Sequence, residues 1–172
     1  MKTLINGRWT DRKEEKQSND GSFKRKDTEF RNWITPDGSP GETGVGGFKA
    51  ESDRYHLYVS LACPWAHRTL IFRKLKNLEP HIGVSIVHPI MLENGWEFRT
   101  DFSQRTGDQI LGKNSIFEVY LAADKNITSR ASVPVLWDVK QATIVSNESS
   151  EIIRMFNSAF EQISVNELDL YP

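Results

Sequence analysis

Tyr55-His56-Leu57-Tyr58-Val59-Ser60-Leu61-Ala62-Cys63-Pro64-Trp65-Ala66-His67-Arg68 changes character halfway along. Residues 55–60 are apolar, aromatic and β-branched enough to read as a strand. From Pro64 to Lys76, apolar Leu70, Ile71, Phe72 and Leu75 interleave with Arg68, Arg73, Lys74 and Lys76, an amphipathic helix. Pro64 suits the first helical position, where its missing N–H is not needed. Cys63 therefore stands at a strand-to-helix corner. Unpaired N–H groups and the positive end of the helix dipole favour a thiolate there, the nucleophilic form of cysteine. The bland alternative is a small buried apolar residue.

The same reading extends outward. Residues 83–88 read as a second strand, stopped by Pro89, and residues 115–123 as a helix with Ile116, Phe117, Val119, Tyr120 and Leu121 apolar. Residues 133–138 and 142–146 form a hairpin across Val139-Lys140-Gln141. Asn147 caps a helix from Glu148 to about Phe160, with Ile152, Ile153, Met155 and Phe156 as its buried stripe. The order β-α-β-α-β-β-α, with a parallel first pair and an antiparallel last pair, is a thioredoxin-like α/β fold with a mixed four-stranded sheet. Pro134 must sit at a strand start, and a cis Val133–Pro134 bond is expected there.

Before the fold lies an irregular N-terminal arm. Residues 10–32 are dense in charge and show no helical or strand period; Trp9, Phe23, Phe30 and Trp33 are its candidate anchors. Residues 35–47 hold two prolines and five glycines and must be a loop. Gly44-Val45-Gly46-Gly47 is not set between a strand and a helix, so it does not read as a phosphate loop. The division is an arm and Gly/Pro-rich loop over 1–50, the thioredoxin-like domain over 51–162, and a tail over 163–172.

With 172 residues the chain can bury one ordinary core. A net charge of −1 argues against a nucleic-acid or acidic-membrane partner. No stretch is apolar enough for a transmembrane helix, and the N-terminus lacks the apolar core of a signal peptide. A lone cysteine cannot form an internal disulfide, which fits a cytoplasmic location. His56, His67, His81 and His88 show no metal-ligand spacing, so no metal site is expected.

The run from Tyr55 to Arg68 resembles the active-site stretch of the glutathionyl-hydroquinone reductases, the Xi class of glutathione transferases. Glu93-Asn94-Gly95-Trp96-Glu97-Phe98, Val133-Pro134-Val135-Leu136-Trp137-Asp138 and Asn147-Glu148-Ser149-Ser150-Glu151-Ile152-Ile153-Arg154 resemble three further motifs of that family. The arm with Phe30-Arg31-Asn32-Trp33 and the loop Pro36 to Lys49 resemble its bacterial members. The resemblance implies a glutathione-dependent oxidoreductase, with glutathione as co-substrate and glutathionyl-hydroquinones as the other partner. Cys63 would attack the sulfur of a glutathionyl-hydroquinone, hold glutathione as a mixed disulfide, and be released by a second glutathione. A single cysteine agrees with that cycle, because the resolving thiol must then come from outside.

The same resemblance implies a glutathione site. Val133 would offer its N–H and C=O to the cysteinyl amide, supported by Pro134 as Pro64 supports Cys63. Glu148 would meet the ammonium and Ser149 the γ-glutamyl carboxylate at a helix N-terminus. Arg130 would pair with the glycyl carboxylate and Trp96 would contact the tripeptide. From sequence alone Arg130 reads as a surface charge and Glu148 equally as an ordinary helix-start carboxylate, while Trp96, in a glycine-containing loop, is hard to justify as exposed without a ligand, core packing being the alternative. Trp65 reads as packed rather than as a pocket wall. His67 and Arg68 read equally as a source of positive potential and as a solvated face. Family members carry a second, all-helical domain after this one and form homodimers. The tail at 163–172 is where that domain would begin, and an exposed apolar patch is expected at its docking face. Two alternatives stay open: a conventional transferase using a Ser or Tyr hydroxyl, and a non-catalytic binding domain.

Overall fold

The computed structural model describes residues 2–11 and 28–171. Its elements are β1 (Lys2–Ile5), β2 (Arg8–Asp11), β3 (Tyr55–Ser60), α1 (Pro64–Leu75), β4 (Ile82–Val87), α2 (Ile116–Ala123), β5 (Val135–Asp138), β6 (Thr143–Ser146) and α3 (Ser149–Ser158). From β3 onward this is the expected β-α-β-α-β-β-α order. The sheet runs β4-β3-β5-β6, with β3 parallel to β4 and antiparallel to β5. Every residue of β3 is buried, as a central strand covered on both faces must be. Val133–Pro134 is cis, and β5 starts just after it.

Residues 2–11 correct the expectation of an irregular arm. β1 and β2 pair antiparallel across Asn6-Gly7, whose φ values of 48° and 74° make a two-residue hairpin turn. Asn-Gly is the strongest short hairpin signal, and the sequence reading passed over it. The hairpin is sealed to the domain: Leu4 exchanges backbone hydrogen bonds with Ser129, and Trp9 stacks on Phe117 at 4.7 Å. Phe30 and Trp33 also pack inward, as expected of anchors. Phe23 and the charged run after Asp11 lie outside the described residues.

Helix α1 keeps part of its expected stripe: Leu70 and Phe72 are half-buried against the core, while Ile71 and Leu75 are nearly half exposed. The fully buried residues of α1 are the small Ala66 and Thr69. Trp65 is 56% exposed, which corrects its reading as a packed aromatic. Ile90, Met91 and Leu92 form another exposed apolar stretch. At α3 the cap is Glu148, not Asn147: the Glu148 carboxylate accepts from the Ser150 N–H at 3.2 Å. The helix ends at Ser158, two residues short of Phe160, and Ile152, Met155 and Phe156 are its buried apolar residues while Ile153 is half-buried.

Two cations help hold the loop 35–47: Arg154 pairs with Glu42, and Arg54 anchors its end. Arg54 donates to the Gly47 carbonyl and forms a two-pronged ion pair with fully buried Asp138. No helix of the described residues is long and apolar enough to cross a membrane.

His56 sits in the central strand, 3% exposed, with Nε2 2.8 Å from Ser85 Oγ. Burial pushes its pKa down to about 4. The unfolded chain, with histidine near 6.5, therefore binds more protons than the native state between about pH 4 and 6.5. Stability must fall as pH drops through that window, by about 2 kcal/mol from pH 7 to pH 5. Urea titrations at the two pH values, with His56→Gln alongside, check this. An equal fall in the variant would assign the effect to other groups.

Candidate active site

Cys63 is the N-cap of α1, in extended conformation with φ −97° and ψ 114°, and Pro64 follows at N1. The corner is pinned by backbone: Cys63 N–H donates to Ser60 O at 3.1 Å, and His67 N–H donates to Cys63 O at 2.9 Å. The thiol is half-buried and reaches the Val133 carbonyl, with Sγ 3.5 Å from the oxygen. These two residues are far apart in sequence and meet because β3 and β5 are neighbours. The hydroxyls of β3, the strand that leads to the corner, are already bonded. Ser60 is fully buried and its Oγ accepts from the Ala62 N–H; Tyr58 donates to Asp108 and Tyr55 to the Lys49 carbonyl.

The start of α3 forms the next wall. Ser149 is 4% exposed, and its Oγ accepts from Arg68 through Nε at 3.0 Å and a terminal nitrogen at 2.6 Å. The same guanidinium lies 3.8 Å from the Glu148 carboxylate and over the Trp65 ring at 5.0 Å. Arg68 thus stands one turn along the helix that Cys63 caps and bridges to Glu148 and Ser149. Arg68 is therefore bonded to the start of α3 and is not a free solvated charge. His67 is exposed, with no described partner.

Trp96 and Arg130 belong to an adjoining cleft of about 450 Å³, lined also by Ser132, Met91 and, from the hairpin, Trp9 and Lys2. Trp96 is half-buried, and its carbonyl accepts from the Ile116 N–H at 2.9 Å. Arg130 is exposed, a cation at the mouth of a mostly apolar cleft. Lys2 closes the far rim by its 2.8 Å ion pair with Glu93. The hairpin's share in this cleft was invisible in the sequence reading. Ser132 and Val133, consecutive residues, join the cleft to the thiol corner. All six residues singled out for binding or attack thus lie on one rim of the domain, in two groups: Cys63, Val133, Glu148 and Ser149 in one, Trp96 and Arg130 in the other. Among the described residues, no three His, Cys, Asp or Glu side chains gather as metal ligands would.

Chemically, the corner presents a thiol, the open edge of a backbone segment, a helix N-terminus, and carboxylate and guanidinium groups a short distance apart. That is an inventory suited to a small zwitterionic peptide carrying a sulfur.

A family model described as Glutathione S-transferase, N-terminal domain matches residues 62–159. The chain is 58% identical over 172 residues to glutathionyl-hydroquinone reductase YqjG of Escherichia coli K12, covering 100% of this chain and 52% of that protein. It is 43% identical to glutathionyl-hydroquinone reductase PcpF of Sphingobium chlorophenolicum, covering 100% of this chain and 51% of that protein. Among solved structures, the glutathione-bound form of YqjG from Escherichia coli K-12 superimposes with a TM-score of 0.86 at 55% identity, over 99% of this chain and 49% of that one. A Xi-class transferase from Natrialba magadii gives 0.84 at 42% identity, over 100% and 49%. The chain therefore spans about half the length of the curated relatives it matches. Family profile and superposition agree: the chain belongs to the glutathione S-transferase family, as an N-terminal domain of thioredoxin-like fold.

Proposed function

We propose that this chain carries the glutathione-binding and thiol-bearing part of a glutathione-dependent reductase acting on S-glutathionyl-hydroquinones. The observation that carries the reading is the placement of the Cys63 thiol at a helix N-cap, 3.5 Å from the Val133 carbonyl. In the proposed cycle the Cys63 thiolate attacks the glutathionyl sulfur. The sulfur–carbon bond to the ring breaks, the ring carbon leaves with the electron pair and takes up a proton, and a Cys63–glutathione disulfide forms. The carbon is reduced and the sulfurs are oxidised. A second glutathione thiolate then attacks the glutathionyl sulfur of that disulfide, releasing glutathione disulfide and regenerating Cys63. The cycle needs no second cysteine and no metal, only a reducing compartment that supplies glutathione.

Glutathione would lie along the rim. Its cysteinyl amide would pair with the Val133 backbone, its γ-glutamyl carboxylate with the start of α3 at Ser149, and its ammonium with Glu148. Arg130 and Trp96 would hold the glycyl end. Intact-mass spectrometry after incubation with glutathione disulfide tests the reading: one glutathione is expected on Cys63. Repeated absence of any adduct would turn the reading toward a conventional transferase.

Arg68 has a defined part in this scheme. It orients Ser149 Oγ and adds positive charge where the γ-glutamyl carboxylate would sit. Arg68→Ala is expected to raise the dissociation constant for glutathione about five- to tenfold, the worth of one charge-assisted hydrogen bond. Calorimetric titration checks it, and unchanged affinity would place Arg68 in surface packing alone.

Adduct formation without turnover of a glutathionyl-hydroquinone would instead support a binding-domain reading.

A further inference from the structure

The segments proposed to hold glutathione come from three different parts of the chain, and one helix touches all three. At the start of α2, Ile116 N–H donates to the Trp96 carbonyl at 2.9 Å. One turn further along stands Tyr120, whose ring is fully buried. The Tyr120 hydroxyl lies 3.1 Å from the Ser132 carbonyl and 3.2 Å from Ser132 Oγ, and it accepts from Asn147 Nδ2 at 2.9 Å. Ser132 immediately precedes Val133, and Asn147 immediately precedes Glu148 and Ser149. Asn147 is also fixed from behind. Its backbone N–H donates to Phe30 O at 3.2 Å, its Oδ1 accepts from the Phe30 N–H at 3.4 Å, and the Phe30 ring meets the Tyr120 ring edge-on at 6.0 Å.

We propose that the Tyr120 hydroxyl and the Asn147 amide are positioning residues for glutathione, setting the separation between the Val133 turn and the start of α3. This rests on the reading that glutathione binds across those two segments. The physical argument is one of rigidity. A tripeptide that bonds to both segments gains most when their spacing is set beforehand, since no ordering cost is then left for binding. Three features suit the pair to that task. The hydroxyl has one hydrogen and bridges an acceptor on one segment to a donor on the other, so it couples them directly. Neither group is exposed enough to act on a ligand itself. Burial also raises the phenol's pKa, which keeps it a donor throughout the working range.

The test is calorimetric titration of this chain with reduced glutathione, well below each variant's melting temperature. Wild type, Tyr120→Phe and Asn147→Asp are compared. The first variant removes only the hydroxyl. The second keeps the Phe30 acceptor but turns the donor toward Tyr120 into an acceptor. Both are expected to raise the dissociation constant at least about fivefold, the cost of one buried pairing lost. The rate of Cys63 alkylation by iodoacetamide without glutathione is expected to stay within about twofold, because the thiol corner is pinned by the backbone bonds of Cys63 to Ser60 and His67 instead. Lowered melting temperature with unchanged glutathione affinity in a folded variant would make the pair purely structural and overturn the proposal. Failure of both variants to fold would do the same. If wild type itself does not bind glutathione, the failure lies with the functional reading beneath the proposal.

Discussion

Cys63→Ser is expected to abolish the glutathione adduct and to lower turnover of a glutathionyl-hydroquinone by about a thousandfold or more, as loss of an attacking nucleophile does. A serine hydroxyl is a far weaker nucleophile and cannot form the sulfur–sulfur bond on which the second step depends. The substitution is otherwise gentle. Cys63 makes no side-chain cap to α1, whereas serine is among the favoured N-cap residues, so the variant should melt no lower than wild type and gain up to about 1 kcal/mol. Glutathione affinity should change little, because the proposed polar contacts lie on Val133, Glu148, Ser149, Arg130 and Trp96. The informative result is therefore a split: chemistry lost, binding and folding kept. Equal turnover in wild type and variant would move the chemistry to a hydroxyl. The buried and already bonded Ser60 makes that outcome unexpected on structural grounds.

The largest expected loss of stability lies at the other end of the sheet. Asp138 is fully buried at the end of β5 and accepts from Arg54, whose side chain is 5% exposed. The same carboxylate accepts from the Lys140 and Gln141 N–H groups, closing the β5–β6 turn. Asp138→Ala removes the buried partner of the guanidinium, leaves it with the partly exposed Glu51 carboxylate at 2.8 Å and the Gly47 and Lys49 carbonyls, and opens the turn. Breaking a buried pair from one side costs about 3–5 kcal/mol, and the retained Glu51 pair places this variant at the low end of that range. For a domain of this size the melting temperature should fall by about 10 °C. Thermal denaturation followed by circular dichroism measures it. A shift of a degree or two would mean that Arg54 swings out to solvent and that the loop 35–47 is held by other contacts. The thiol corner is far along the strands from Asp138, so adduct formation by the folded fraction should persist.

These residues show how unevenly the chain announces itself. The strand at 55–60, Pro64 at the start of a helix and Pro134 at the start of a strand were legible because each is a local signal. Alternation, a missing N–H and a fixed φ act within a few residues. The Asn6-Gly7 turn was equally local and was passed over because the charges that follow it drew the reading toward an arm. Helix α1 misled for another reason. Its composition is amphipathic, but full burial goes to Ala66 and Thr69, with Leu70 and Phe72 only half-buried and Ile71 and Leu75 turned outward. The resemblance supplied Glu148, Ser149, Arg130 and Trp96 without saying how they meet.

From residues alone came the order of elements, the corner that carries the one thiol, and the motifs that place the chain among its relatives. Each of these is written in neighbouring residues or short motifs. The grouping of the site came from elsewhere. Arg68 bonds Ser149, Tyr120 ties Ser132 to Asn147, and the hairpin lends Trp9 and Lys2 to the cleft beside Trp96. Those pairings cross long stretches of chain. They exist because strand order brings β5 beside β3 and because α1, α2 and α3 pack at set distances on the sheet, a balance of side-chain volumes that no local pattern encodes.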